Sequence, residues 1–312
     1  MNQMKSVPYI CAFEQGSSVA SWGSVGIRSA FPFLRPKENP SFFNPVLDLV
    51  SPPSSRLIEH YIEWTGAPQS KYENEVPPHL FSQWSIPLVT RVLLQARYPL
   101  KDIINQGCSI KINARIPRGE KLWLTARLIN LVESGDRIRF SVQVSTSTSD
   151  LPNAIVAVFN LVLLPEMSET KERNKSSRIQ DDFFESGHWS ADDTDGFRYA
   201  LLTGDFNPIH WIDPVAKRSS FGGKVLHGFA SLCRTWESLE SSKQDGDIGR
   251  DSNKRIEQIS VKFLQPVRLP STELKVMTSV KTNKEGDHRL RVRGKNNHLH
   301  LAGKFKMSGT VL

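Results

Sequence analysis

Cysteine is scarce: Cys11, Cys108 and Cys233 are the only three in 312 residues, far apart and odd in number. No pair has the spacing of a metal-ligand or redox motif, and no disulfide framework fits them. Long apolar runs are missing as well. The longest, IVAVFNLVLLP at 155–165, falls short of the ~20 residues of a membrane span and is interrupted by Asn160. The opening MNQMKSVPYICAFEQ lacks the apolar centre of about 7–15 residues that marks a secretory signal. Acidic residues are the minority charge, 32 against 40 basic, leaving a formal net charge of +8. Disorder and collagen-like repetition are excluded by 38% apolar and 9% aromatic content. These absences predict a soluble globular chain in a reducing, cytoplasmic setting.

The length suits about two domains, and the sequence repeats accordingly. YIEWTG at 61–66 and YALLTG at 199–204 share Tyr-x-x-x-Thr-Gly. Each follows a serine-led stretch, beginning at Ser51 and at Ser190, that reads as a helix start. Further on, SIKI at 109–112 matches SVKF at 260–263, and GDRIRF at 135–140 matches GDHRLRV at 286–292. Three matches in one order argue for duplication. Longer helices are predicted over 82–96 and 225–240. In the second, Phe229, Leu232, Cys233, Trp236 and Leu239 form one apolar stripe. Each is followed by strand-like runs separated by Gly-containing turns. The pattern predicts an α+β fold, twice over, in which an antiparallel sheet wraps a helix. The expected organisation is an N-terminal segment over 1–40, a first unit over 41–165, a polar linker over 166–182 and a second unit over 183–312.

Candidate chemistry concentrates in TGDFNPIH at 203–210. Asp205 and His210 lie five residues apart, a spacing that does not share a helix face. Asn207-Pro208 breaks the helix before them, so a loop can aim both side chains at one point. A carboxylate and an imidazole converging on a water form a general acid–base pair. The alternative is a turn in which Asp and Asn serve the backbone. The second candidate is FGGKVLHGF at 221–229. His227-Gly228 opens the long helix, where unpaired N–H groups can meet developing negative charge on a ligand oxygen. Here the alternative is that Gly228 serves close packing.

Taken together, residues 199–229 resemble the signature of the MaoC-like, R-specific enoyl-thioester hydratases, or hydratase 2 family: Tyr-x-x-x-Ser/Thr-Gly-Asp-x-Asn-Pro-x-His, then His-Gly before a central helix. VKFLQPVRLP at 261–270 is similar to the family's next strand. The resemblance implies a double hotdog, two long helices wrapped by antiparallel sheet and pseudo-dimeric within one chain. It implies reversible addition of water to trans-2-enoyl thioesters, giving the (R)-3-hydroxyacyl form. Asp205 and His210 match the water-activating pair, treated as a coupled dyad, and Gly228 matches the donor to the thioester carbonyl. Asn207, His227 and Phe229 match supporting or substrate-binding positions. No metal and no cofactor are implied.

Two departures accompany the match. The position eight after the helix glycine, a small polar residue in many members, is Trp236 here, which would narrow the pocket. In the first copy, Ala67 stands opposite Asp205 and Tyr72 opposite His210, so one active site is expected. The degenerate first half then supplies room for the acyl chain. The expected substrate carrier is coenzyme A or acyl carrier protein. Either suits a basic face over 275–306, which holds nine Lys or Arg and two acids. An ordinary outer sheet surface has the same pattern. The rival readings are a non-catalytic hotdog module that binds acyl thioesters or a partner enzyme, and a nucleic-acid-associated protein. For the latter, neither aromatic platform nor groove-binding helix is found. A monomeric pseudo-dimer and a homodimer both fit.

Overall fold

The computed structural model describes residues 7–135, 137–163, 182–242 and 255–308. The predicted linker lies outside them except for Asp182. In chain order the elements are α1 (Gly16–Ala30), β1 (Val46–Val50), α2 (Ser55–Thr65), α3 (Ser82–Leu93), β2 (Ile103–Ile112), β3 (Leu122–Ser134), β4 (Arg137–Ser147) and β5 (Ile155–Leu163). The second half follows with β6 (Phe183–Ala191), α4 (Asp195–Thr203), α5 (Asp213–Arg218), α6 (Gly228–Glu240), β7 (Ile256–Phe263), β8 (Ser271–Ser279), β9 (His288–Arg293) and β10 (Leu299–Met307).

All ten strands form one sheet in the order β1-β3-β4-β5-β2-β7-β10-β9-β8-β6. Each half has the same internal order, read from opposite edges. The halves meet where β2 pairs antiparallel with β7, and there Ser109 faces Ser260. These are the serines that head the repeated SIKI and SVKF, so the duplication closes on itself as a pseudo-twofold. The sheet wraps α3 and α6. In α6 the stripe Phe229, Leu232, Cys233, Trp236 and Leu239 is buried, and Arg234 and Glu237 are buried with it.

Both Tyr-x-x-x-Thr-Gly motifs end a helix. Gly66 and Gly204 cap α2 and α4 in the left-handed conformation, at φ 86° and 78°. Ser54, rather than the expected Ser51, caps α2 by accepting from the Leu57 N–H at 3.1 Å. Ser190 lies within β6, not at a helix start. The central helix begins at Gly228 rather than 225, because Leu226 donates its N–H to Val267 O in an extended pairing. Cys11, Cys108 and Cys233 are all buried and free. No helix among the described residues is long and apolar enough to cross a membrane.

Candidate active site

The loop after α4 owes its shape to three polar side chains. Asn207 opens a single helical turn over Pro208–His210, and its Oδ1 accepts the Ile209 N–H at 3.3 Å. Asp205 Oδ1 accepts the Asn207 N–H at 3.5 Å. The turn swings His210 toward the start of α6, where its Nδ1–H donates to Val225 O at 2.7 Å. From α6, the His227 Nε2–H donates to the backbone O of Asp205 at 2.9 Å. The two imidazoles stack with ring centroids 3.6 Å apart, and Tyr199 backs His227 at 4.9 Å. Ligand-type atoms of Asp205, His210 and His227 all lie within 4.8 Å of one another.

Burial decides the protonation of this cluster. Burial, with the neighbouring His227 second, pushes His210 down to about 3, against the pull of the Asp205 charge. Burial takes His227 to about 3 as well. The Asp205 carboxyl is raised by burial, partly offset by His210 and the Asn207 N–H. At neutral pH both rings are therefore uncharged. Each spends its single N–H on a carbonyl, which leaves Nε2 of His210 with a bare lone pair. The result is a base beside a carboxyl group whose proton affinity is raised. The same three residues have the donor chemistry to hold a divalent cation.

The α6 N-terminus faces the cluster and takes no side-chain cap from His227. A Cβ on Gly228 would lie 2.7 Å from the Phe263 ring, so glycine is needed for packing whatever its N–H does. Phe229 belongs to an aromatic group with Phe81, Phe159 and Phe263, at centroid distances of 5.3, 5.4 and 5.9 Å. A cavity of about 350 Å³ opens from Asp205, His210 and Gly228 and runs between the halves. Its apolar walls include Ile86 and Val89 from α3, Leu161 from β5 and Phe229 from α6.

All six residues marked in the sequence thus meet at one end of one cavity. Sequence reasoning missed Val225, whose carbonyl fixes the His210 tautomer; a main-chain contact leaves no side-chain signal. The expectation that Trp236 narrows the pocket is corrected. Trp236 is fully buried in the core, its ring 5.6 Å from His79, and does not line the cavity. In the first half, Tyr72 stands at the counterpart of His210 and donates its hydroxyl to Glu237 at 2.7 Å. On the basic strands, Lys275 pairs with Glu185 at 2.9 Å, Lys304 with Asp287 at 2.6 Å and Lys306 with Glu257 at 3.3 Å, so part of that charge is locally neutralised.

The family model described as MaoC-like domain matches residues 174–300. Among solved structures, HtdX of Mycobacterium tuberculosis overlays with a TM-score of 0.64 and 18% identity, covering 84% of this chain and 99% of that one. A MaoC-like dehydratase from Phytophthora capsici overlays at 0.62 and 16% identity, covering 86% of this chain and 97% of that one. The full-length peroxisomal multifunctional enzyme type 2 of Drosophila melanogaster matches at 0.61 and 15% identity, over 85% of this chain and 48% of that one. A sequence search of curated proteins finds no match. The overlays cover both halves and show that the chain shares the double-hotdog fold of these structures, and the match of residues 174–300 to the MaoC-like domain model spans Asp205, His210 and Gly228.

Proposed function

We propose that the protein catalyses reversible hydration of trans-2-enoyl thioesters and dehydration of (R)-3-hydroxyacyl thioesters. The observation that carries this reading is the placing of His210, its Nδ1 tied to Val225 O, beside Asp205 at one end of a largely apolar cavity. The acyl chain lies between the halves, and the thioester oxygen meets the Gly228 N–H at the head of α6. A water held between Asp205 and His210 attacks C3. One member of the dyad takes a proton from that water and the other delivers one to C2. Charge building on the thioester oxygen meets the unpaired donors and positive end of the helix.

The test is hydration of a medium-chain enoyl-CoA, followed by loss of absorbance of the conjugated thioester. Asp205→Asn and His210→Ala are each expected to lower turnover by about 10²-fold or more. Wild-type turnover in both variants would refute the assignment. The cluster's donor set favours one second reading, a metal centre at Asp205, His210 and His227. Dialysis against a chelator separates the two. The dyad reading expects turnover to survive it, whereas loss reversed by a divalent cation would establish the metal centre.

A further inference from the structure

The N-terminal helix α1 turns polar side chains inward. Among its described side chains Ser18, Ser21 and Arg28 are buried, whereas Val19 and Ile27 are about half exposed, at 52% and 57%. Polar contacts fix the helix at both ends. At its start, Gln15 Nε2 donates to Leu201 O at 3.2 Å, and Gln15 Oε1 accepts from Gln83 Nε2 at 3.2 Å. Ser18 packs against Gly204, the residue before Asp205, closely enough that a side chain on Gly204 would collide with it. At its far end, the Arg28 guanidinium donates to Leu94 O and Ala96 O, just beyond the C-terminus of α3.

Between these anchors Val25 of α1 lines the cavity. It joins Leu93 from α3, Leu100, and Ile103 at the start of β2. Seven residues of helix separate Ser18 from Val25, about 10 Å at 1.5 Å per residue. The helix that touches the catalytic loop at one turn therefore forms acyl-cavity wall two turns later. We propose that α1 is a wall of the acyl site and that Val25 sets the length of chain the site admits. This rests on the acyl-thioester reading above and adds to it a selectivity element outside both hotdog units.

The experiment compares kcat/KM for trans-2-dodecenoyl-CoA and trans-2-butenoyl-CoA in the wild type, Val25→Trp and Val25→Met. The dodecenoyl-to-butenoyl ratio is expected to fall at least tenfold in Val25→Trp and by a smaller factor in Val25→Met. Partial exposure of Val25 allows the larger side chain to be carried without disturbing the core. A ratio unchanged in both variants, with wild-type turnover intact, overturns this proposal alone. A wild type that hydrates neither substrate refutes the proposed function, and the role of Val25 falls with it.

Discussion

His210 is kept neutral by two separate features. Burial disfavours its cation, and the stacked His227 adds a second ring beside which a positive charge is unwelcome. Its one N–H is committed to Val225 O, so the unprotonated nitrogen is defined rather than exchanged between tautomers. An ordinary imidazole, near 6.5, would be partly protonated at mildly acidic pH, and a protonated ring cannot act as the base. Held down to about 3, both rings stay neutral well below pH 6. Nitrogen-15 NMR across pH 5 to 8 is expected to show His210 protonated at Nδ1 and His227 at Nε2 throughout. A titration of either ring centred near 6.5 would show that water reaches it freely and would remove the basis for the neutral-base argument.

At the scale of elements, the α6 N-terminus joins catalysis to packing through Gly228. Alanine there keeps the N–H but drives its methyl into the Phe263 ring, which closes one side of the cavity. Overpacking of this kind costs about 1–3 kcal/mol, so Gly228→Ala is expected to lower stability by that amount and turnover with it. Phe263→Ala in the same chain should restore part of both, a coupling that a double-mutant cycle measures. Strict additivity of the two changes would mean that the ring is not what excludes a side chain. This helix was legible in the sequence because its apolar stripe is regular and its His-Gly start is distinctive. Other elements were not. β6 hides behind two register breaks, after Glu185 and after Trp189, which spoil the alternation of apolar and polar residues. β1 is a five-residue edge strand beside a Pro-rich stretch. On α1 the buried residues described are Ser18, Ser21 and Arg28, which a search for an apolar stripe passes over.

Across the whole molecule, the pseudo-twofold gives each strand of the second half a counterpart in the first, and Ala67 and Tyr72 stand in the first half where the second has Asp205 and His210. The repeat was visible in SIKI and SVKF, but what replaced the lost dyad was not, since its parts come from both halves. Glu237 of α6 accepts from Tyr72 and from His79 Nε2, each at 2.7 Å, and from Lys71, three partners supplied by the first half. Burial opposes its charge, but the hydrogen bonds from His79 and the nearby Lys71 outweigh burial and hold it at about 2, against an ordinary 4.5. Its contribution to stability is therefore complete above about pH 4.5 and is lost as the pH falls toward 2. The two active-site imidazoles act over a higher window. Unfolded, they bind protons from about 6.5 downward, whereas folded they do so only near 3, so stability falls across that interval. Asp205 offsets part of this, because its raised carboxyl takes up a proton earlier in the folded state. Glu237→Ala removes a buried charge from its partners, a change that typically costs about 3–5 kcal/mol. Glu240, 2.8 Å from Lys71, keeps that lysine paired and places the loss at the lower end. Denaturant unfolding should show wild type and variant both less stable at pH 5 than at pH 7, with a constant gap between them. The gap should close only below about pH 4.5, as the carboxylate is protonated. A gap unchanged down to pH 3 would mean that Glu237 holds the halves together by its shape and not by its charge.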